Sequence, residues 1–237
     1  MFIRKRKSDD MFYSSFDSQI TTLIEEIKTV LIEKNIFMNE IIDSDPQKKN
    51  VIINLTDKDN NFIGNINGGV EEFFIMENGE ETEQNAFSIN WIKVDNKYQG
   101  FSLGTFLIIY WIYLCNKNFS DINYVVLDDD TDVIDQSKNI YIKLGFIYKD
   151  TSQREDENGN MVTVIGGPEM QLKISDLFNS GLIDRLNKIK ITMKNWNTNV
   201  GGKGKGKGKK KSKNNRKTKR KSYRKRVKTI KKSKNRK

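Results

Sequence analysis

The chain has 237 residues with 42 Lys and Arg, 31 Asp and Glu, no histidine and a formal net charge of +11. Residues 201–237 hold 21 of the Lys and Arg and no acid, which makes that segment +21 and leaves residues 1–200 at −10. With no histidine and a single cysteine, Cys115, the chain excludes a Ser-His-Asp or Cys-His site, a histidine metal cage and a cysteine zinc knuckle.

In chain order, Ile20, Leu23, Ile24, Ile27, Val30 and Leu31 recur at three- and four-residue spacing and predict an amphipathic helix over 18–35, with Asp17 or Ser18 as N-cap. Strand-like runs follow at 50–56, 62–67, 72–76 and 86–94, punctuated by polar and Asn-Gly turns, and read as an antiparallel meander. Residues 103–118 are too long for an ordinary strand and apolar on nearly every side, which predicts a helix buried against a sheet. A buried strand at 124–127, a helix at 135–144 stopped by Gly145, and a strand from 146 to 148 come next. A strand at 170–174 is expected to close the sheet, with a helix near 175–191 after it. The order predicts an α/β or α+β fold with a mixed sheet, as one domain over 1–200. Residues 201–237 are low-complexity Gly/Lys and then Lys/Arg/Ser/Asn repeats, expected to be disordered in isolation.

The longest uncharged apolar stretch, 106–115, has ten residues, against the roughly 20 that a bilayer-spanning helix needs, so no membrane span is read. A polar stretch follows the basic start, and this with the lone cysteine predicts an intracellular protein, cytoplasmic or nuclear.

The most telling segment lies between the run 86–94 and the helix at 103: Gln99-Gly100-Phe101-Ser102-Leu103-Gly104-Thr105. A glycine-bearing turn between a strand and a helix leaves backbone N–H groups unpaired at the positive end of the helix dipole, where phosphate binds. The segment from Val94 through Thr105 resembles the signature of the GCN5-related N-acetyltransferases (GNAT), a valine ending a strand followed by Gln/Arg-x-x-Gly-x-Gly/Ala. Tyr141-Ile142-Lys143-Leu144-Gly145-Phe146 resembles that family's later Tyr-x-Lys-Leu-Gly-Phe segment, and the resemblance covers about 50–174.

The resemblance implies a mixed, mostly antiparallel sheet flanked by helices and an acetyl-CoA cosubstrate with no metal. Ile92 and Val94 would pair with the pantetheine arm, and the amides of Gln99, Gly100, Phe101, Ser102, Leu103 and Gly104 would receive the pyrophosphate, with Thr105 in reach of a phosphate oxygen. Ser102 departs from a pattern that prefers glycine there. Tyr141 would protonate the departing CoA thiolate; the alternative is a helix-face tyrosine packed beside Phe146. The family's Asn, seven residues before the tyrosine, is replaced by Ile134, with Asp135 or Asn139 as substitutes. Asp95, Glu72 and Asp128 are candidates for the base that frees the acceptor amine, and Asn90 could position a water; spacing selects none of them.

Two further motifs are set aside. Asp128-Asp129-Asp130-Thr131-Asp132 lacks the Asp-x-Asp-x-Thr/Val pattern of a phosphatase nucleophile loop, and the Gly-Lys repeats from Gly201 lack the strand and helix that frame a phosphate loop.

The acidic body favours a cationic amine as acceptor, protein or small molecule, while the +21 segment predicts salt-dependent nucleic-acid association or a targeting signal. The competing reading is a catalytically degenerate GNAT fold acting as a nucleic-acid-binding or packaging factor through its tail.

Overall fold

The computed structural model describes residues 7–43, 45, 49–119, 121–129, 139–155 and 161–196. The chain divides into two units, 1–199 and 200–237, and the second lies wholly outside the described residues, as does the expectation of a disordered tail.

The elements are α1 (Lys7–Glu33), β1 (Ile36–Ile42), β2 (Val51–Asp57), β3 (Phe62–Glu77), β4 (Glu80–Val94), a 3-10 turn (Asn96–Tyr98), α2 (Leu103–Asn118), β5 (Tyr124–Asp128), α3 (Ile140–Leu144), β6 (Ile147–Tyr148), β7 (Thr151–Glu155), β8 (Met161–Ile165), β9 (Glu169–Lys173), α4 (Ile174–Leu177) and α5 (Ser180–Lys194). Seven strands form one sheet in the order β1-β2-β3-β4-β5-β9-β6, and β7 pairs with β8 separately. Every neighbouring pair is antiparallel except β4–β5. A parallel pair needs a crossover, and α2 supplies it. The fold is therefore the mixed, mostly antiparallel, helix-flanked class expected from the sequence.

α2 occupies the position its composition demands. Leu103 and every residue from Phe106 to Cys115 are buried, so the helix has no solvent stripe over that length. The Trp111 indole donates from Nε1 to the Val51 carbonyl at 2.8 Å, giving the one polar atom of that ring a partner in the core. Cys115 is fully buried, and desolvation pushes its thiol pKa well above the ordinary value. The α1 residues Ile20, Leu23, Ile24, Ile27, Val30 and Leu31 pack into the same core.

Several expectations are corrected. α1 begins at Lys7, not at Ser18. No Gly or Pro interrupts 7–17, and Asp17 and Ser18 sit mid-helix, where their carbonyls accept from Thr21 and Thr22 Oγ1. β1 was not foreseen; Asn35, with φ 57, turns the chain out of α1 directly into it. The separate runs 62–67 and 72–76 are one strand, β3, and the Gly68-Gly69 pair lies inside it instead of forming a turn. β9 does not close the sheet but inserts between β5 and β6. The final helix is two helices, with Asn179 accepting from the Gly181 N–H at 2.9 Å to start α5. Of the helix expected at 135–144, residues 140–144 are helical and 135–138 lie outside the described residues.

Gly68 marks a shift of register. Asn67 faces Trp91 but Gly68 faces Ile89, so Asn90 is the extra residue of a bulge in β4. A Cβ at Gly68 would lie 2.0 Å from the Ser88 carbonyl oxygen and 2.6 Å from Trp111 Cζ2. Beyond the bulge, the β3–β4 arm is tied to β9. Gln171 donates to the Met76 carbonyl at 2.6 Å and accepts from the Met76 N–H at 3.0 Å, and Lys173 pairs with Glu77 at 2.8 Å.

Candidate functional site

The bulge lies where two strands part. β4 and β5 pair at Phe87↔Val125, Ser88↔Val126 and Ile89↔Leu127, and the ladder stops there while β4 runs on to Val94. On its other side β4 keeps its pairing with β3 through Gly64↔Val94. The last five residues of β4 thus have a neighbour on one edge and none from β5 on the other, which opens a notch in the middle of the sheet.

The chain leaves this notch through a tight turn. Asp95 Oδ1 accepts from the Lys97 N–H at 2.9 Å, and the Tyr98 N–H donates to the Asp95 carbonyl at 2.9 Å. Gln99 Nε2 donates to the Val94 carbonyl at 3.1 Å and to Asn96 Oδ1 at 2.9 Å, so its side chain buttresses the turn from inside. Gly100 has φ +86, and Ser102, the N-cap of α2, has φ 65 and ψ 12. Both are left-handed, so the sequence position where the GNAT pattern prefers glycine has a backbone that explains the preference.

Ser102 makes no side-chain cap, and the first bond into the helix is from the Phe106 N–H to the Ser102 carbonyl at 2.9 Å. The N–H groups of Leu103, Gly104 and Thr105 are therefore the orphan donors of α2, without a partner among the described residues. Ser102→Gly should raise stability by about 0.5–1 kcal/mol, the left-handed penalty of a side chain less the extra freedom glycine gives the unfolded chain. The urea midpoint reads this; an unchanged or lower midpoint contradicts it.

These donors open onto a cleft of about 850 Å³. Its walls are the end of β4 (Ile92, Val94), the turn and first residues of α2 (Gln99, Gly100, Ser102, Leu103, Gly104, Thr105), one side of α3 and one side of α5. Eight of the sequence-nominated residues are thereby brought together. Phe101 is not on the lining; its ring stacks on Trp196 at 4.4 Å. Among the described residues four cations line the cleft, Lys93, Lys143, Arg185 and Lys188, and no Asp or Glu does. In a body that carries ten more acids than bases this is a local inversion of charge.

Tyr141 is buried in the core, 8% exposed, edge-to-face with Phe146 at 6.0 Å. It does not line the cleft, although its helix neighbours Ile140, Lys143 and Leu144 do. α3 is anchored by Asn139, 1% exposed, whose Oδ1 accepts from the Tyr141 N–H at 2.8 Å. Asn139 Nδ2 donates to Asp129 Oδ2 at 2.6 Å, and the Tyr148 hydroxyl donates to the same oxygen at 2.5 Å. Burial, and then this bond to a carboxylate, pushes the Tyr148 pKa up to about 12. Asn139 therefore caps the helix, while Asp135 and Ile134 lie outside the described residues.

None of Asp95, Glu72 and Asp128 lines the cleft. Asp95 is taken up in the turn, and Asn90 Oδ1 accepts from the Ser88 hydroxyl at 2.9 Å. Sequence reasoning missed the α5 wall of Arg185, Lys188, Ile189 and Thr192. Arg185, Lys188 and Thr192 stand at i, i+3 and i+7, one face of a helix, and that spacing was the available signal.

No protein-family model matches the chain, and no curated protein does. Solved structures that match it at low identity include N-acetyltransferases and an acetyltransferase described as of the GNAT family. One is the toxin AtaT complexed with acetyl-methionyl-tRNAfMet, 9% identical over 60% of this chain and 96% of that one, with a TM-score of 0.43. Another is the ribosomal-protein-S18-alanine N-acetyltransferase from Escherichia coli, 13% identical over 59% and 94%, TM-score 0.36. A third is the spermidine/spermine N-acetyltransferase SpeG from Vibrio cholerae, 14% identical over 56% and 69%, TM-score 0.36. At these scores the likeness is one of general fold, and nothing about the activity of this chain follows from it. Among the described residues, no helix is long and apolar enough to cross a membrane.

Proposed function

We propose that this chain is an acetyl-CoA-dependent N-acyltransferase that acetylates an amine. The observation that carries the reading is the parting of β4 from β5 after Ile89 directly above a turn whose amides are open. The arrangement fits a diphosphate-bearing thioester. Orphan donors at Leu103, Gly104 and Thr105 meet the phosphate oxygens at the positive end of α2. The free edge of β4 from Asn90 to Val94 offers main-chain groups to an extended amide-bearing arm in the place of a missing strand. Bound acetyl-CoA would supply an activated acetyl carbonyl and a thiolate leaving group.

The roles proposed for this chain's residues follow. Ile92 and Val94 hold the arm, and the turn from Gln99 to Thr105 holds the diphosphate. Tyr141 gives the departing sulfur its proton. An amine of ordinary pKa near 10.4 must shed a proton before it attacks, and a water chain is assigned that task here, since among the described residues no carboxylate lines the cleft. The acidic body favours a cationic amine. Residues 201–237, outside the described residues, are proposed to associate with nucleic acid through their +21 charge.

Isothermal titration of the full chain with acetyl-CoA tests the cofactor. One-to-one binding is expected in the micromolar range, about −8 kcal/mol, and Gly104→Glu, which sets a carboxylate among the open amides, should abolish it. Full-strength binding by Gly104→Glu, or none by the unaltered chain, refutes the proposal.

A further inference from the structure

We infer that α5, which lies outside the segment carrying the sequence resemblance, is a second phosphate-binding wall. Arg185 and Lys188, facing Lys143 across the cleft, receive the 3′-phosphomonoester of CoA and make the site selective for CoA over its dephosphorylated form. The inference rests on the proposed cofactor but concerns a different part of it, and different residues.

Three observations converge. First, α5 is fixed beside the phosphate turn. At its C-terminal end the Trp196 ring stacks on Phe101 at 4.4 Å and meets Tyr98 edge-on at 5.5 Å. Lys34 Nζ donates to the Trp196 carbonyl at 2.5 Å and to that of Lys194 at 3.1 Å, and Lys190 pairs with Glu26 at 2.7 Å, so α1 holds the helix from behind. Second, the face turned to the cleft is cationic and uncommitted. Arg185, Lys188 and Thr192 stand on successive turns, spanning about 10 Å at 1.5 Å per residue, and the buried Ile189 lines the cleft beside them. Neither Arg185, Lys188 nor Lys143 has an ion-pair partner among the described residues. Third, among the described residues no carboxylate lines the cleft with them. Cations left unpaired in an acid-rich body, grouped on the α3 and α5 walls of one cleft, are complementary to a dianion.

The ligand's own chemistry supplies the register. The diphosphate and the 3′-phosphate of CoA leave the same ribose, so a diphosphate held at Ser102–Thr105 carries the phosphomonoester to an adjacent wall. The walls next to that turn are α3 and α5. A guanidinium suits a phosphate by its paired donors, and an ammonium supports it as a point charge.

The test is a titration of the full chain with acetyl-CoA and with 3′-dephospho-acetyl-CoA, each at low and high salt. The unaltered protein should bind acetyl-CoA about tenfold to a hundredfold more tightly than the dephospho compound, the range for losing one or two charge-assisted hydrogen bonds. Arg185→Gln combined with Lys188→Gln should erase that ratio while leaving the affinity for the dephospho compound unchanged, and Arg185→Glu should invert it. Adenosine 3′,5′-bisphosphate should compete with acetyl-CoA, and inorganic phosphate at the same concentration should not. Equal affinities for the two thioesters in the unaltered protein overturn the inference and leave the proposed cofactor standing. Equal losses for both compounds in the double variant also overturn it, because the side chains then support the fold or the diphosphate. If neither compound binds, both the inference and the cofactor fall.

Discussion

Gly68→Ala should destabilise the fold by about 3 kcal/mol or more, at the upper end of what overpacking costs. The added methyl would lie 2.0 Å from the Ser88 carbonyl oxygen and 2.6 Å from Trp111 Cζ2. The first is backbone, held in the β3–β4 and β4–β5 ladders, and the second is a fully buried ring whose nitrogen is bonded to the Val51 carbonyl. Neither neighbour is the free end of a flexible side chain, so relief must come from shifting β3 against β4 at the bulge. Gly167→Ala is the control: nothing lies within 4 Å of its Cβ position, and the change should stay within about 0.5 kcal/mol. Urea unfolding of the two variants measures the difference. Equal stabilities would mean that β3 and β4 do not approach each other as closely as the bulge requires. Because Asn90 is the bulged residue and the β4–β5 ladder ends one residue before it, the variant should also weaken acetyl-CoA binding in whatever fraction remains folded.

Tyr141→Phe should lower turnover by a factor of roughly 10² to 10⁴, the usual contribution of a positioned proton donor, with acetyl-CoA affinity unchanged. Removing one hydroxyl keeps the ring that packs edge-to-face on Phe146, so the fold should lose little. This separation of effects distinguishes an acid from a packing residue. A packing tyrosine would give a variant with full turnover across the pH range, and that result would remove Tyr141 from the chemistry. Tyr141 stands on α3, whose start Asn139 holds against Asp129 and Tyr148, so its proposed role depends on that anchor. Asn139→Ala should therefore depress turnover as well, through position, and should cost stability, since it leaves two backbone donors and the half-buried Asp129 carboxylate short of a partner.

Much of the fold could be read from the chain. The helix 103–118 was legible to its ends because an apolar run of that length, opened by a glycine turn, has no other stable use in a small domain. The stripe from Ile20 to Leu31 was equally plain, but its start was misplaced because Asp17 and Ser18 resemble caps while the helix simply passes through them. Gly68-Gly69 imitated a turn, since a close approach between strands and a reversal both call for glycine, and only the distant Ser88 and Trp111 decide between them. The insertion of β9 between β5 and β6 is a non-local pairing that no short window contains. The β7–β8 hairpin went unread even though Asn158-Gly159 stands between its strands.

The site divides the same way. The turn and the strand end before it were legible because local glycine chemistry betrays them. The cationic wall was not, because Arg185 and Lys188 on a polar helix face look like ordinary solvated residues until the fold sets them opposite α2. Tyr141 is singled out by its motif alone: its ring is buried and is not among the cleft-lining side chains, although its helix neighbours Ile140, Lys143 and Leu144 are.

The single sulfhydryl of the chain has a practical use. Cys115 is sealed inside α2 with its ionisation suppressed, so a colorimetric thiol reagent added to a working reaction should register the CoA set free and almost nothing from the folded polypeptide. On denaturation one extra equivalent per chain should appear, which lets the same reagent, in the same cuvette, count catalytic cycles first and intact molecules afterwards.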